Sequence, residues 1–432
     1  MKAIKHIVLA VLQILSCTTM TYAQFSETTL ADTTKLANEQ YNPELGYFQK
    51  VYSDLGDPHY MYGSGDFAIG IGGTVRASAF FDIYGSPIDN APKFAASKLS
   101  IPTDNANKFG LSASSSELHV KARNKIGKHQ VIAYVKLNTN DNEVIQLNQA
   151  YVSIDGFTIG KVYSFFMDLE AGAMTVDLKG PNTQIGNTQP LVGYLHQFGK
   201  NWTLGVSAEQ PTMKATVLEE YGVEPDNQSM PDFVLSAKYK WPKGHVRAAT
   251  LLRNISYWQH QKGQVMANVG NTEHLLGLGV TLSGKVQPTK KLQISAQGYY
   301  GKGLSHYIND LSGMDLDCDP DDWNTEEQIF KSMKPIPIYG GFIAGNYKWN
   351  KKLVSNIVYG FVNTDRENAE QYSEKFKNSA YLALNTFYAI NDYCMIGLEY
   401  DYGFRKNYSF SHVDSEFRGV GNRLNTTFIY QF

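Results

Sequence analysis

The charged residues that stand out by position are Asp168, Asp177 and Lys179, set with Glu170 in a mixed apolar and polar, glycine-bearing run over 165–189. Such a run can pack its apolar side chains against a wall while it presents charge to water. Arg76, Lys121, Arg123, Lys136, Arg247 and Arg253 fall on the polar phase of alternating segments elsewhere in the chain, with Glu117 among them. Charges of opposite sign that face one another across a gap sort solutes by their field, as rings of charge do in channels, and no bond is made or broken. The alternative for 165–189 is an ordinary loop with solvated charges. A second group, Asp315, Asp317, Asp319 and Glu326, imitates the oxygen-ligand spacing of a calcium loop. It is a weak match, because Pro320 stands where that loop needs glycine and no helices flank it, so a solvated acidic loop is the competing reading.

Catalytic signatures are missing. No nucleophile elbow, zinc signature, phosphate-binding glycine loop or HExxH motif occurs, and Glu219-Glu220 and Glu326-Glu327 have nothing nearby to organise them. An enzyme is therefore not expected, and neither is a cofactor. Lys plus Arg (39) nearly balance Asp plus Glu (41), which is not the basic footprint of a nucleic-acid binder.

The elements that must position the charged residues are sixteen segments of alternating polarity, at 66–84, 108–123, 129–141, 145–155, 157–164, 190–198, 202–210, 232–241, 245–257, 273–284, 291–301, 336–349, 353–363, 379–390, 393–406 and 421–432. Period-two alternation is the mark of a strand with unlike faces. Along 66–84, Phe67, Ile69, Ile71, Val75, Ala77, Ala79, Phe81 and Ile83 share one face, while Thr74, Arg76, Ser78 and Asp82 share the other. The connections alternate as well. Tight turns rich in Asn, Gly, Lys and Pro, such as Asp155-Gly156 and Asn391-Asp392, take turns with long loops at 85–107, 165–189, 211–231, 258–272, 302–335, 364–378 and 407–420. All-short ends on one rim and long ends on the other describe an all-β, up-and-down transmembrane barrel with short periplasmic turns and long extracellular loops. Soluble sandwiches use Greek-key connections instead, although a soluble sheet with one wet face would share the alternation. Sixteen strands enclose a lumen wide enough for water.

Composition fits this reading. No apolar run after the first two dozen residues is long enough for a membrane-spanning helix, since a barrel hides its apolar side chains in alternation. The 28 Tyr and 22 Phe are what two aromatic girdles require. Residues 1–23 read as a signal peptide, with Lys2 and Lys5 ahead of an apolar core and a small-residue end at Ala23. Lipidation at Cys17 is the alternative. Residues 24–65 lack the strand pattern and read as a periplasmic extension. The mature chain keeps Cys318 and Cys394, too few for a disulfide framework, with a bridge between them left open.

Further motifs carry a resemblance. Gly160-Lys-Val-Tyr-Ser-Phe-Phe-Met-Asp168, Thr175-Val-Asp177-Leu-Lys-Gly180-Pro181-Asn182 and Gln189-Pro190, with Ile71-Gly-Gly73-Thr-Val-Arg76, Phe109-Gly-Leu-Ser-Ala-Ser114 and Gly301-Lys-Gly303-Leu-Ser-His-Tyr307, resemble the corresponding segments of DcaP-like outer-membrane porins. A C-terminal strand that places Leu424, Phe428, Tyr430 and Phe432 on one face is similar to the ending of bacterial barrels. The resemblance implies a trimer of sixteen-stranded barrels in a Gram-negative outer membrane, an N-terminal periplasmic segment and uptake of small anionic solutes such as dicarboxylates. Ser114, Glu117 and His306 stand where relatives favour arginine. The function expected is passive diffusion of small hydrophilic solutes through a water-filled lumen narrowed near 165–189. Its partners would be outer-membrane lipid, lipopolysaccharide bridged through the acidic run, and the solutes themselves. A secreted β-rich carbohydrate-binding or adhesive protein and a barrel hydrolase are the alternatives.

Overall fold

The computed structural model describes residues 60–64, 67–88, 91–177, 180–213, 223–260, 270–321, 332–366, 375–408 and 417–432. The signal-peptide reading, Cys17 and most of the 24–65 extension lie outside them. A strand with one face in lipid must satisfy every backbone N–H and C=O through neighbours on both sides, and only a closed ring provides two neighbours for all. Sixteen antiparallel strands close such a ring. They are β1 (Phe67–Tyr84), β2 (Lys108–Ser112 continued by Glu117–Ile126), β3 (His129–Thr139), β4 (Ile145–Ile154), β5 (Phe157–Tyr163), β6 (Thr188–Phe198), β7 (Trp202–Glu209) and β8 (Asp232–Trp241), followed by β9 (Gly244–His260), β10 (Gly270–Val286), β11 (Leu292–Lys302), β12 (Pro337–Lys348), β13 (Leu353–Thr364), β14 (Phe376–Ala389), β15 (Cys394–Asn407) and β16 (Arg418–Gln431). Each pairs with the next, and β16 pairs back onto β1, with Gln431 opposite Thr74 and Asn422 opposite Tyr84.

Phe432 completes the seam by exchanging both backbone hydrogen bonds with Gly73. Beyond that point β16 has ended, and Tyr60–Ser64 pairs with Phe67–Ile71 in its place. Five residues expected to lie in a strandless extension are thus a strand, because the unpaired edge of β1 needs a partner. The second sequence segment, read as continuous, is interrupted at 113–116. There the small polar run Ser112-Ala-Ser-Ser-Ser116 turns out of the ladder with Ser115 at a φ of 63°, and the Ser116 hydroxyl accepts the Arg76 N–H that the interruption leaves over.

The faces sort as alternation dictates. Val75, Leu282 and Leu398 are exposed to the outside, whereas Thr74, Arg76, Ser283, Glu399 and Asp401 are buried on the lumen side. Aromatics gather at both rims. Phe157, Phe198, Trp202, Trp349 and Tyr393 flank the short turns, and Tyr84, Phe109, Tyr300, Tyr339 and Phe361 lie toward the long loops, all outward and exposed. Leu282 sits between the two belts at 62% exposure. Replacing it by arginine is expected to lower the stability of the folded barrel in lipid vesicles by about 2–4 kcal/mol relative to L282A. Reversible urea unfolding measures this, and equal midpoints for the two variants would remove Leu282 from the lipid face.

Candidate functional site

The β5 strand is seven residues long, so the chain leaves the wall early and residues 164–187 enter the lumen. Backbone polar groups there compete for few partners, and inward side chains of the wall supply them. Near its start, Arg247 on β9 donates to the carbonyls of Phe165 and Phe166. Asp168 accepts from His245 Nε2 at 2.8 Å and from the Ser283 hydroxyl at 2.6 Å, and Glu170 pairs with Lys238 at 2.7 Å. Midway, Arg76 donates to the Val176 carbonyl at 2.6 Å, while the Val176 N–H donates to the Glu399 carboxylate at 3.0 Å. Asn385 donates to the Met174 carbonyl. Toward its end, the Thr183 hydroxyl donates to the Gly341 carbonyl and the Ile185 N–H to Gln297, each at 2.7 Å. The loop is therefore tied to β1, β8, β9, β10, β11, β12, β14 and β15.

Two further segments enter the lumen, where the alternation had placed ordinary outer loops. Phe94, Ala96 and Leu99, in the β1–β2 connection, are buried in a hollow that Gly403 of β15 and Gly421 of β16 leave open. A Cβ on Gly403 would stand 2.8 Å from the Phe94 ring, and one on Gly421 would stand 2.4 Å from Leu99. The Phe94 N–H donates to Asp177 at 2.7 Å and the Ala96 N–H to Asn182 at 2.8 Å, so this segment and 164–187 hold each other. Arg423 secures it from the wall, bonding both oxygens of Asp82 at 2.6 and 2.8 Å and the carbonyls of Ala91 and Pro92. In the β11–β12 connection, Leu304, Tyr307, Ile308 and Leu311 pack with Phe166, Ile185 and Leu251 in one apolar cluster. Arg253 on β9 fastens that segment, reaching Asp232 at 3.0 Å, Asp317 at 3.2 Å and the carbonyls of Gly303 and Thr212.

The residues singled out in the sequence separate into two sets. Arg76, Arg247 and Arg253 face the lumen, but their guanidinium groups are buried and engaged with loop backbone and carboxylates. Lys136 is paired with Glu117 at 3.1 Å. Lys121 and Arg123 stand half-buried on the lumen face of β2. Asp168 is buried rather than presented to water, and Asp177 is half-buried against Phe94. Lys179 and Glu326 lie outside the described residues. The calcium-loop reading of the acidic run does not hold, because its carboxylates diverge. Asp317 turns to Arg253 and Ser305, Asp319 pairs with Arg366, and Asp315 occupies a turn at a φ of 55°. Nor is the run solvated, since Asp317 and Asp319 are buried beside those arginines. Cys318 is buried and Cys394 lies on β15, and both are free thiols.

Sequence reasoning missed several lumen residues. Lys238, Lys240, Lys285 and Lys348 occupy inward positions near the short-turn ends of β8, β10 and β12. Their inward phase was readable from alternation. His306, already singled out in the sequence, accepts the Asn187 side-chain N–H at Nε2. Among the described residues, Asp177, Glu399 and Asp401 offer three carboxylates to one point.

Burial alone would push the Asp168 carboxyl up, but the hydrogen bond and charge of His245, with Ser283 and Arg247, hold it at about 2 against an ordinary 3.8. A carboxyl depressed in this way stabilises the anchored loop fully above about pH 4, and the contribution is lost as pH falls through about 2. Short pepsin pulses at graded pH are expected to leave 164–187 uncut at pH 4 and cut near pH 2, with D168N already cut at pH 4. Identical cleavage of both proteins at every pH would show that this anchor does not hold the loop.

A family model described as porin subfamily matches residues 59–426. The outer membrane channel DcaP of Acinetobacter baumannii superposes with a TM-score of 0.69 at 19% identity, covering 86% of this chain and 99% of that one. OmpT, an outer membrane protein of Vibrio cholerae, gives 0.54 at 12% identity over 86% and 99% of the two chains. Salmonella typhi OmpF in complex with daunomycin gives 0.51 at 10% identity, over 86% and 100%. None of the curated proteins matches the sequence.

Proposed function

The chain belongs to the porin subfamily and is an outer-membrane channel protein, and from that premise we propose that it passes small anionic hydrophilic solutes down their gradient. The observation that carries the proposal is the placement of the lysines. Lys238, Lys240, Lys285 and Lys348 line one wall of the lumen toward the short-turn rim. Lys121 and Arg123 face them from β2, six to eight strands away around a sixteen-strand ring. Glu170 offsets part of the row through Lys238 and Lys240. An anion entering this vestibule meets positive charge on both sides, with little dielectric screening from the walls.

The arrangement needs no energy coupling and no covalent step. Residues 164–187 cross the lumen and narrow it, so size and charge together decide what passes. Secretion through a signal peptide cleaved after Ala23, and assembly as a homotrimer, complete the proposed picture. Light scattering of the detergent-solubilised protein tests the trimer, and a mass of one chain would contradict it.

Purified protein in planar bilayers is expected to give stepwise ion currents. Under a salt gradient, the reversal potential of the wild type should show anions favoured several-fold over cations. The double variant K240E/K285E should lose or invert that preference, while R76Q changes it less. No current steps at all would contradict the channel. Equal reversal potentials for wild type and K240E/K285E would show that the lysine row does not set the field.

A further inference from the structure

The outer face of the barrel carries charge that solute passage does not use. Lys406 on β15 and Arg418 on β16 stand directly opposite one another in the ladder. Both fall on the outward phase, because their chain neighbours face inward: Arg405 donates to the Leu99 carbonyl, and Gly419 lies against the Ser100 carbonyl. Side chains directly opposite have Cβ atoms about 4.5–5.5 Å apart, and like charges placed so weaken the pairing. Lys375 adds a third cation at this end. It is exposed, and its carbonyl accepts the Tyr408 N–H, which sets it just beyond Lys406.

Height in the membrane decides what these cations meet. Lys406 lies twelve residues along β15 from Cys394 at the short-turn end. At about 3.3 Å per residue and a tilt of about 40°, that is about 30 Å across the membrane, beyond an apolar band about 25 Å tall. The pair therefore stands at headgroup level on the side of the long loops. Below it, Phe81, Leu398 and Leu424 are exposed on the outward face. The Arg418 guanidinium lies 5.5 Å from the centre of the Phe404 ring, a cation–π contact that holds it over the aromatic belt. Among the described residues, the outward positions beside the pair are Asn378, Phe404 and Val420, none of them acidic.

We propose that Lys375, Lys406 and Arg418 bind the phosphates of lipopolysaccharide, whose acyl chains lie on the apolar column below. Arginine offers a phosphate a fork of donors and lysine a point charge, and clustered cations at a membrane surface recognise anionic headgroups. A phosphate between Lys406 and Arg418 replaces their repulsion with two ion pairs. Charge adjoining exposed apolar surface fits an amphiphile better than a free ion. The acidic run cannot bridge this lipid instead, since Asp317 and Asp319 are buried beside Arg253 and Arg366.

The test uses full-length barrel refolded in zwitterionic detergent without lipopolysaccharide and titrated with diphosphorylated lipid A, with binding followed by microscale thermophoresis. The wild type is expected to bind saturably and K406Q/R418Q at least tenfold more weakly. K302Q, which removes an outward cation on β11 that stands opposite Leu278 rather than another cation, should bind within twofold of the wild type. Dephosphorylated lipid A should bind the wild type as weakly as lipid A binds the double variant, a comparison that needs no variant to fold. Equal affinities of wild type and K406Q/R418Q for lipid A, or no loss on dephosphorylation, would overturn the proposal. Displacement of lipid A by inorganic phosphate at equal concentration would overturn it by making the site one for a free ion. A loss in K302Q as large as in the double variant would overturn it by spreading the attraction around the rim.

Discussion

A polypeptide that enters a narrow lumen keeps the hydrogen-bonding demand of its backbone, and most of the inward architecture of this barrel answers that demand. Closing the ring satisfies the strands. Each inward segment then brings further N–H and C=O groups into a space whose walls have none to spare. Arginine and carboxylate side chains fill the deficit. Arg76, Arg247, Arg253 and Arg423 donate to loop carbonyls, and Glu399 and Asp177 accept loop N–H groups. Removing the side-chain partner leaves a buried backbone group unsatisfied, at a cost of about 1–3 kcal/mol.

This divides the lumen charges by task. Buried charges with several partners hold the loops, and the less buried lysines toward the short-turn rim are the ones to which the proposed function assigns the solutes. Arg253 shows the first task at its fullest, with two carboxylates and two carbonyls around one guanidinium. Lys240 shows the second. It is 62% exposed and stands 3.9 Å from Glu170, a separation at which water screens much of the interaction.

The barrel was legible in the sequence because its strands repeat one local rule. Phe67 to Ile83 alternate visibly, and the same phase assigns Arg76, Glu399 and Arg405 to the lumen. What each inward charge does was not legible, since Arg76 and Lys240 obey the same alternation. Their tasks depend on whether a loop passes in front of them, which is a long-range fact. The inward course of 91–104 and 303–317 escaped for the same reason, as loops carry no period. One trace of it was present. Gly403 and Gly421 are paired on adjacent strands, and two small residues side by side on a lumen face mark a hollow for side chains such as Phe94 and Leu99. The calcium-loop motif failed in the opposite way, because local spacing matched while Arg253 and Arg366 drew its carboxylates apart.

The central claim is that the lumen segments are fixed parts of the wall, held through their backbones by buried charge. Hydrogen–deuterium exchange on the intact barrel in detergent, resolved at the amides of Phe94, Ala96, Val176 and Ile185, tests it most directly. The account predicts that these four amides exchange as slowly as those of the strands they touch. Exchange as fast as that of an unprotected peptide at Val176 and Phe94, with the strands still protected, would contradict it.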